Sequence, residues 1–120
     1  ELYEIDFRSA QNISDAKDKK IPVIAVGTTV TRTLESVAKN NNGQIRSEIG
    51  ETDIFIFPPF DFKVVDILMT NFHLPNTSLM HLVQAFLEHK KAKRNVRELY
   101  EIAIQEKFRF FSFGDSMLIL

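Results

Sequence analysis

Side chains that can take part in chemistry follow three apolar runs of the sequence. The first group is Thr28, Thr29 and Arg32, which come after Gly27 at the start of a helical pattern. Hydroxyl groups at a helix amino terminus suit an anion, and a guanidinium grips a carboxylate or phosphate with two hydrogen bonds. A helix capped by its own threonines explains the same residues, and from the residues alone this interpretation is favoured.

The second group follows an apolar stretch that Asp66 interrupts and that leads to Asn71 and His73. A carboxylate among apolar residues needs polar partners. Asparagine can hydrogen-bond an amide or a hydroxyl, and histidine exchanges protons near neutral pH. The alternative is that Asn71 makes a turn and His73 packs between Phe72 and Leu74; for a lone histidine, packing is favoured.

The third group, Gly114-Asp115, lies between two apolar runs near the end of the sequence. Gly-Asp is an ordinary hairpin signal, so a turn is favoured over a carboxylate site. His81 and His89 have no acidic or histidine partner at ligand spacing, and no metal site is predicted.

Residues 90–97 carry five basic side chains in eight positions. Such a run can contact a phosphate backbone. A solvated helix junction, offset by Glu98, Glu101 and Glu106, is the favoured interpretation.

Strands and helices alternate along the sequence and must position these groups. The alternation predicts a layered α/β fold with a largely parallel sheet flanked by helices. In such sheets ligands bind at the carboxyl ends of the strands, which is where the three groups fall. Strands are predicted at 21–26, 53–57, 62–70 and, as a terminal hairpin, 108–113 with 117–120; helices at 9–20, from 28 to the 40–43 segment, from 75 to 87 and at 96–104.

The composition is that of an ordinary globular protein, with 44% hydrophobic and 26% charged residues and a net charge of −1. The lack of cysteine excludes disulfides and thiolate metal sites and favours a reducing compartment. No apolar run approaches the roughly 20 residues of a membrane helix, and no leader is recognisable. A cytoplasmic protein without a membrane partner is therefore expected. Both ends of the chain are expected to be cuts through a larger protein, with a domain ending in a buried strand as an equal alternative.

Three blocks of the sequence resemble a known family. Residues 24–36 (IAVGTTVTRTLES) resemble VIAVGTTSVRTLES, residues 63–66 and 70–75 resemble KVVD and TNFHLP, and residues 109–119 (RFFSFGDSMLI) resemble RFFSYGDAMLI. These blocks, in this order, are typical of the S-adenosylmethionine:tRNA ribosyltransferase-isomerases of queuosine synthesis. The resemblance covers most of residues 21–120 and, more loosely, residues 1–20.

The resemblance implies an enzyme that transfers the ribosyl group of S-adenosylmethionine to 7-aminomethyl-7-deazaguanine in tRNA and isomerises it to epoxyqueuosine. S-adenosylmethionine would be a substrate, tRNA the partner, and no metal or redox cofactor is expected. Residues 21–120 would be the carboxyl-terminal part of an α/β domain, with residues 1–20 as a lead-in. The β-barrel domain of the family would be absent from this chain.

The expected reaction needs a base that takes a proton from the ribose carbon next to the sulfonium, and an acid that assists the loss of adenine. Of the residues at the strand ends, His73 has an ordinary pKa suited to both tasks. The expected catalytic residues are His73, Asp66 and Asp115, the aspartates orienting the reacting groups; the expected substrate-binding residues are Thr28, Thr29, Arg32 and Asn71.

Two other functions stay open. The chain would be an inactive or accessory fragment of that enzyme if it folds or binds tRNA weakly without releasing adenine. It would be a general nucleotide-binding module if it binds nucleotides without dependence on tRNA. The second is disfavoured because no glycine-rich phosphate loop is present.

Overall fold

The structure is a computed structural model that describes residues 1–73, 77–110 and 114–120. Within these ranges the chain forms strands and helices in mixed order, as the sequence predicts. The elements are β1 (Leu2–Ile5), α1 (Phe7–Asp18), β2 (Ile24–Val26), α2 (Thr28–Asn40), β3 (Glu48–Glu51), β4 (Ile67–Asn71), α3 (Ser78–His89), α4 (Val96–Gln105) and β5 (Ser116–Ile119).

The strands form two small sheets. In the larger one β4 lies in the middle, parallel to β2 and antiparallel to β5. In the smaller one β1 pairs antiparallel with β3, which joins the first residues of the chain to the segment after α2. The α/β class is confirmed. The sheet is mixed rather than largely parallel, because β5 enters it beside β4 in the opposite direction.

The two faces of the larger sheet differ in their burial. Ala25 and Leu68 are neighbours in register and are both fully buried. Val26 and Met69, the next pair along the strands, point to the other face and are 63% and 37% exposed. Side chains alternate between the faces of a strand, so one face packs on the helical core and the other is open.

The helices bury the apolar stripes that predicted them. Leu34, Val37 and Ala38 of α2 are buried, and so are Val83 and Phe86 of α3. Burying a Val, Leu or Phe side chain contributes about 1.5–3 kcal/mol. In α4 an Asn95 capping box, in which the Asn95 side chain and Glu98 reciprocally bond backbone N–H groups, fixes the start of the helix.

The strand predicted over 53–57 is wrong. Its alternating burial is present, since Ile56 is 2% exposed between Phe55 and Phe57, which are both 53% exposed. No ladder of the described strands includes these residues. Alternation reports which side chains face the core, but a strand also needs a neighbour for its backbone groups.

The strand predicted over 62–70 is shorter than expected and begins at Ile67. The backbone N–H groups of Lys63, Val64 and Val65 are bound instead by the carboxylate of Glu35. Since those donors are occupied by a side chain, they are not available to a strand ladder.

The predicted terminal hairpin is also wrong where the structure describes it. Residues 108–110 are not in a strand, and β5 pairs with β4. The remainder of the predicted first arm, residues 111–113, lies outside the described residues. Within the described part of the chain, no helix is long and apolar enough to span a bilayer.

Candidate active site at the carboxyl ends of two strands

A cleft of about 320 Å³ opens where β2 and β4 end. The register of the sheet places Val26 beside Met69 and Asn71 beside Ser116, so the three strand ends meet at its floor. Residues from the first turn of α2 and the exit of β4 complete the wall. The lining residues are Val26, Gly27, Thr28, Thr29, Val30, Met69, Thr70, Asn71, His73 and Ser116.

Four of the predicted site residues therefore share one cleft. Thr28 and Thr29 come from the start of α2, while Asn71 and His73 come from the end of β4. They are more than 40 positions apart in sequence, and the parallel pairing of β2 with β4 brings them together. This is the place where parallel α/β sheets bind ligands.

Gly27 turns the chain from β2 directly into α2. Its φ of +104° lies in a region that residues with a side chain rarely adopt. Its N–H donates to the carbonyl of Met69 at 2.8 Å, which extends the contact between β2 and β4. Its carbonyl accepts the hydroxyl of Thr31 at 3.0 Å. The helix thus starts at the rim of the cleft because this glycine allows the turn.

The amino terminus of α2 has no side-chain cap among the described residues. The threonine-capping interpretation is therefore not what the structure shows, since Thr31 donates to a carbonyl and satisfies no N–H of the first turn. A helix amino terminus carries unpaired N–H groups and partial positive charge. The rim of the cleft is consequently suited to a carboxylate or phosphate.

His73 is held at two points. Its ring Nε2 lies 2.9 Å from the hydroxyl oxygen of Thr70, and its backbone N–H donates to the hydroxyl of Tyr100 at 2.8 Å. Burial lowers the pKa of His73 below its ordinary value. The imidazole is therefore neutral at neutral pH and has a nitrogen lone pair available to accept a proton.

The neighbouring Phe72 anchors this part of the chain. Its ring is buried, stacks on Phe108 with the ring centroids 5.7 Å apart, and lies tilted against Phe110 at 5.0 Å. It meets Tyr100 edge-on. The core contact thus falls on Phe72, and His73 faces the cleft. Leu74, the other predicted packing partner of His73, lies outside the described residues.

One hydrogen bond holds the side-chain amide of Asn71. Its Oδ1 accepts a hydrogen bond from the hydroxyl of Ser116 at 3.0 Å. An amide group has two donor hydrogens as well. Because the carbonyl is occupied, the NH₂ group is the part of Asn71 that can bind a ligand in the cleft.

Asp66 lies away from the cleft, at the opposite end of β4. It precedes the strand and does not interrupt it. Its carboxylate accepts the backbone N–H of Val23 at 2.9 Å and pairs with Lys17 at 3.2 Å. These contacts tie α1 and the start of β2 to β4.

Arg32 and Asp115 also lie outside the cleft lining. Arg32 forms an ion pair with Glu1 at 3.0 Å, and its buried Nε has no hydrogen-bond partner among the described residues. Asp115 accepts both the backbone N–H and the guanidinium of Arg109, at 2.9 and 3.1 Å, and these bonds lower the pKa of its carboxyl. Both bonds of the Asp115 carboxylate join Arg109 to the residue that precedes Ser116 of the cleft.

Glu35 is a buried carboxylate that sequence reasoning did not select. It is 2% exposed and accepts three backbone N–H groups, from Lys63 at 2.6 Å and from Val64 and Val65 at 3.0 Å. Burial raises the pKa of Glu35, although the three donors act in the opposite direction. An acidic residue beside Leu34, Val37 and Ala38 on an apolar stripe was the available signal.

Three further residues at the site were also missed. Thr70 and Ser116 belong to the blocks that carry the family resemblance, so their positions were available as a signal. The sequence pattern identifies Tyr100 only as part of an apolar helix stripe, and nothing in its spacing indicates its contact with His73. Among the described residues, no group of three His, Asp or Glu side chains is placed to hold a metal ion.

The fold and the cleft define an α/β domain with a candidate ligand site at the carboxyl ends of its strands. The chain belongs to the family described as "Queuosine biosynthesis protein", whose model matches residues 1–119. The family inferred from the three sequence blocks is thereby confirmed.

Relatives of known name are similar along the whole chain. It is 50% identical over 120 residues to the S-adenosylmethionine:tRNA ribosyltransferase-isomerase of Carboxydothermus hydrogenoformans. It is 49% identical over 119 residues to the protein of the same name from Natranaerobius thermophilus. The chain spans 34% and 33% of the length of these two relatives.

The fold is similar to that of a solved relative. The crystal structure of S-adenosylmethionine tRNA ribosyltransferase from Thermotoga maritima matches 99% of the chain with a TM-score of 0.88 and 42% identity. The match covers 40% of the Thermotoga maritima chain.

Proposed function

We propose that this chain is part of an enzyme that transfers the ribosyl group of S-adenosylmethionine to the 7-aminomethyl-7-deazaguanine of tRNA and isomerises it to epoxyqueuosine. Family membership and the names of the relatives support this proposal. The observation that links this function to particular residues is the cleft lined by Thr28, Thr29, Asn71 and His73. In this proposal residues 21–120 are the carboxyl-terminal part of the α/β domain, with residues 1–20 as its lead-in.

The cleft suits a substrate with both an anionic and a hydroxyl-bearing part. The start of α2, which no side chain caps in the described part of the chain, would bind the carboxylate of S-adenosylmethionine or a tRNA phosphate together with Thr28 and Thr29. The NH₂ group of Asn71 would bind a hydroxyl of the ribose or an edge of the base. S-adenosylmethionine is a substrate in this proposal, and no metal or redox cofactor takes part.

His73 would be the base. The sulfonium acidifies the adjacent ribose carbon, and a neutral imidazole can accept the proton from it. The pKa of His73 is lowered by burial, which keeps the ring in the accepting form at neutral pH. After protonation the same ring is an acid that can protonate the departing adenine.

The basic segment 90–97 would bind the phosphate backbone of tRNA. Among the described residues, none of its five cations forms an ion pair, and Lys90 lies over the ring of Phe86. The acids that the sequence offers as partners therefore do not neutralise it by direct pairing, and Glu98 is bound in the cap of α4. A cytoplasmic location follows from tRNA as the partner.

Binding of labelled, unmodified tRNA to the chain at increasing salt tests this segment. Lys91→Gln with Lys93→Gln should lower the slope of log affinity against log salt by about 2, or about 1 per lost phosphate contact. Lys19→Gln with Lys20→Gln is the matched control. This pair removes the same charge, and Lys20 has nearly the same backbone conformation as Lys91, with φ values of 58° and 56°. An equal decrease of the salt slope for the two pairs of substitutions would show a general charge effect and contradict the proposal.

The second candidate is a fragment without activity of its own. It is favoured by the short span of the chain relative to its relatives, and by the apolar sheet face that Val26 and Met69 leave open. In that case the cleft would hold only some of the residues that the ligand needs.

Release of adenine from S-adenosylmethionine in the presence of unmodified tRNA tests the proposed function. The chain should be assayed alone and as a replacement for the aligned segment of the Carboxydothermus hydrogenoformans relative, with the unaltered relative as reference. The replacement is expected to be active. A folded replacement without adenine release would contradict the proposal, and activity only in the replacement would identify the chain as an incomplete part.

A further inference from the structure

A buried hydroxyl contacts the histidine of the cleft. Thr70 is 3% exposed, because its side chain points to the same covered face of β4 as Leu68. Its Oγ1 lies 2.9 Å from Nε2 of His73, whose ring is only partly buried. The sheet therefore supplies a fixed polar atom from its covered side to a side chain that lines the open cleft.

The hydrogen atoms of this contact can be counted. A neutral imidazole has one N–H and one bare nitrogen, and a threonine hydroxyl has one hydrogen. Among the described residues, Thr70 has two acceptors within reach, which are Nε2 of His73 at 2.9 Å and the backbone carbonyl of Asn71 at 3.5 Å. If Thr70 donates to Asn71, then Nε2–H must be the donor in the contact with Thr70. This arrangement makes both hydrogen bonds, whereas a hydroxyl that donates to Nε2 makes one.

The backbone of His73 is fixed by a separate hydrogen bond. The backbone N–H of His73 donates to the hydroxyl of Tyr100, which is 4% exposed and packs against Phe72. Tyr100 is the titratable side chain that contacts His73 in the described part of the chain, and burial raises its pKa, so it stays uncharged. From β4 the ring meets the uncharged Thr70, and the neighbouring Asn71 is uncharged as well.

We infer that Thr70 is a positioning residue that holds His73 in the Nε2–H form and directs the bare Nδ1 toward substrate. The catalytic part of this inference rests on the proposed function. In the reaction, Nδ1 takes the proton from the ribose carbon, and the electron pair of the broken C–H bond stays on that carbon beside the sulfonium. The imidazolium that forms keeps its Nε2–H bond to Thr70.

Nitrogen-15 spectra of the histidine rings test the tautomer without any assay of activity. In the chain labelled at histidine, His81→Gln and His89→Gln assign the other two rings. The expected result is a protonated Nε2 and a bare Nδ1 for His73 above its pKa. A ring with protonated Nδ1, or an average of both forms, would overturn the inference.

A substitution at Thr70 gives a second, signed readout. Thr70→Val removes the acceptor of the Nε2–H bond, and that bond is stronger in the charged ring, so the pKa of His73 should fall further. If the hydroxyl instead donated to Nε2, the same variant would raise that pKa. Thr70→Ser keeps the hydroxyl and should retain the wild-type pKa and tautomer of His73. If Thr70→Val does not fold, the wild-type tautomer and Thr70→Ser still decide the matter.

Thr31→Val is the matched control. Thr31 is also a buried threonine next to the cleft, at 0% exposure, but its hydroxyl donates to the carbonyl of Gly27. Its loss should leave the tautomer and pKa of His73 unchanged. A change equal to that of Thr70→Val would assign the effect to general loosening and overturn the inference.

The consequence for turnover is measured in the replacement enzyme. Thr70→Val should lower kcat for adenine release by about tenfold to a hundredfold with little change in KM, because the base is misplaced while the substrate contacts remain. An unchanged kcat with an altered tautomer would show that His73 is not the base. A correct tautomer in a replacement that releases no adenine would leave the positioning role in place and contradict the proposed function.

Discussion

The two ends of the larger sheet treat their polar groups in opposite ways. At the amino end, Glu35 accepts three backbone N–H groups, and Asp66 accepts a backbone N–H while it pairs with Lys17. At the carboxyl end, α2 starts without a side-chain cap in the described chain. There the Asn71 side-chain amide and the His73 ring each make one hydrogen bond, to Ser116 and to Thr70. The amino end uses its charges to join elements, whereas the carboxyl end keeps hydrogen-bonding groups available for a ligand.

This difference shows why residue type alone is a poor guide to function here. Asp66 and Glu35 are acids within the family blocks, and both accept hydrogen bonds from backbone N–H groups. His73 and Asn71 are less charged, yet they line the cleft. What separates the two ends is how many partners each polar atom already has.

The largest expected effect belongs to the carboxyl end. His73→Ala in the replacement enzyme should lower adenine release by about 10²–10⁴, the usual contribution of general acid–base catalysis. His81→Ala removes an exposed histidine of α3 and should leave the rate unchanged. Undiminished turnover of folded His73→Ala protein would end the assignment of His73 as the base.

At the amino end the largest effect should be on stability. Glu35→Ala leaves three backbone N–H groups without their acceptor, and each buried, unsatisfied group costs about 1–3 kcal/mol. We expect a loss of about 3 kcal/mol or more in the free energy of unfolding, measured with urea. Glu101→Ala, on the exposed side of α4, should change it by less than about 0.5 kcal/mol. A small loss for Glu35→Ala would mean that water replaces the carboxylate.

Asp66→Asn tests most directly whether the amino end of the sheet acts on stability and not on catalysis. The variant keeps an acceptor for the N–H of Val23 but loses the partly exposed ion pair with Lys17. We expect a loss of about 1 kcal/mol in stability. Adenine release in the replacement enzyme should stay within about fivefold of wild type, because Asp66 lies outside the cleft and a full ~1 kcal/mol added to the barrier would slow the reaction by no more than that. A hundredfold loss of rate in a stable variant would place Asp66 in catalysis and break the comparison.

The smallest effect is a pH dependence of stability. Burial lowers the pKa of His73 in the folded chain, so below its ordinary value of 6.5 the unfolded chain binds the proton first. Stability should therefore fall as the pH drops from 6.5 toward the lowered pKa, and be unaffected by this group above 6.5. The difference between wild type and His73→Gln, measured by urea unfolding at several pH values, isolates this contribution. An opposite slope would show that a negative charge faces the ring.

The sequence predicts those parts of the fold that local patterns determine. An apolar run, Gly27 and a helical stripe are enough to place β2, the turn and α2. The stripes of α3 and α4 predict those helices in the same way. The four cleft residues could be selected because strand ends and family blocks coincide at them.

Contacts between distant segments account for what the sequence does not predict. The start of β4 depends on Glu35, which lies 28 to 30 positions before the N–H groups it binds. The absence of a strand at 53–57 goes with the lack of a pairing strand for this segment among the described residues. The hold on His73 depends on Tyr100, 27 positions later. None of these pairings leaves a periodic trace in the chain.

Gly27 has a consequence for anyone who scans this chain by mutagenesis. A methyl group added there would meet no atom within 4 Å, so the position would look permissive by volume. Its φ of +104° nevertheless excludes ordinary residues. The constraint is therefore one of handedness: a φ of this sign suits D-alanine rather than L-alanine, and intolerance of L-residues at this position should not be read as a contact with substrate.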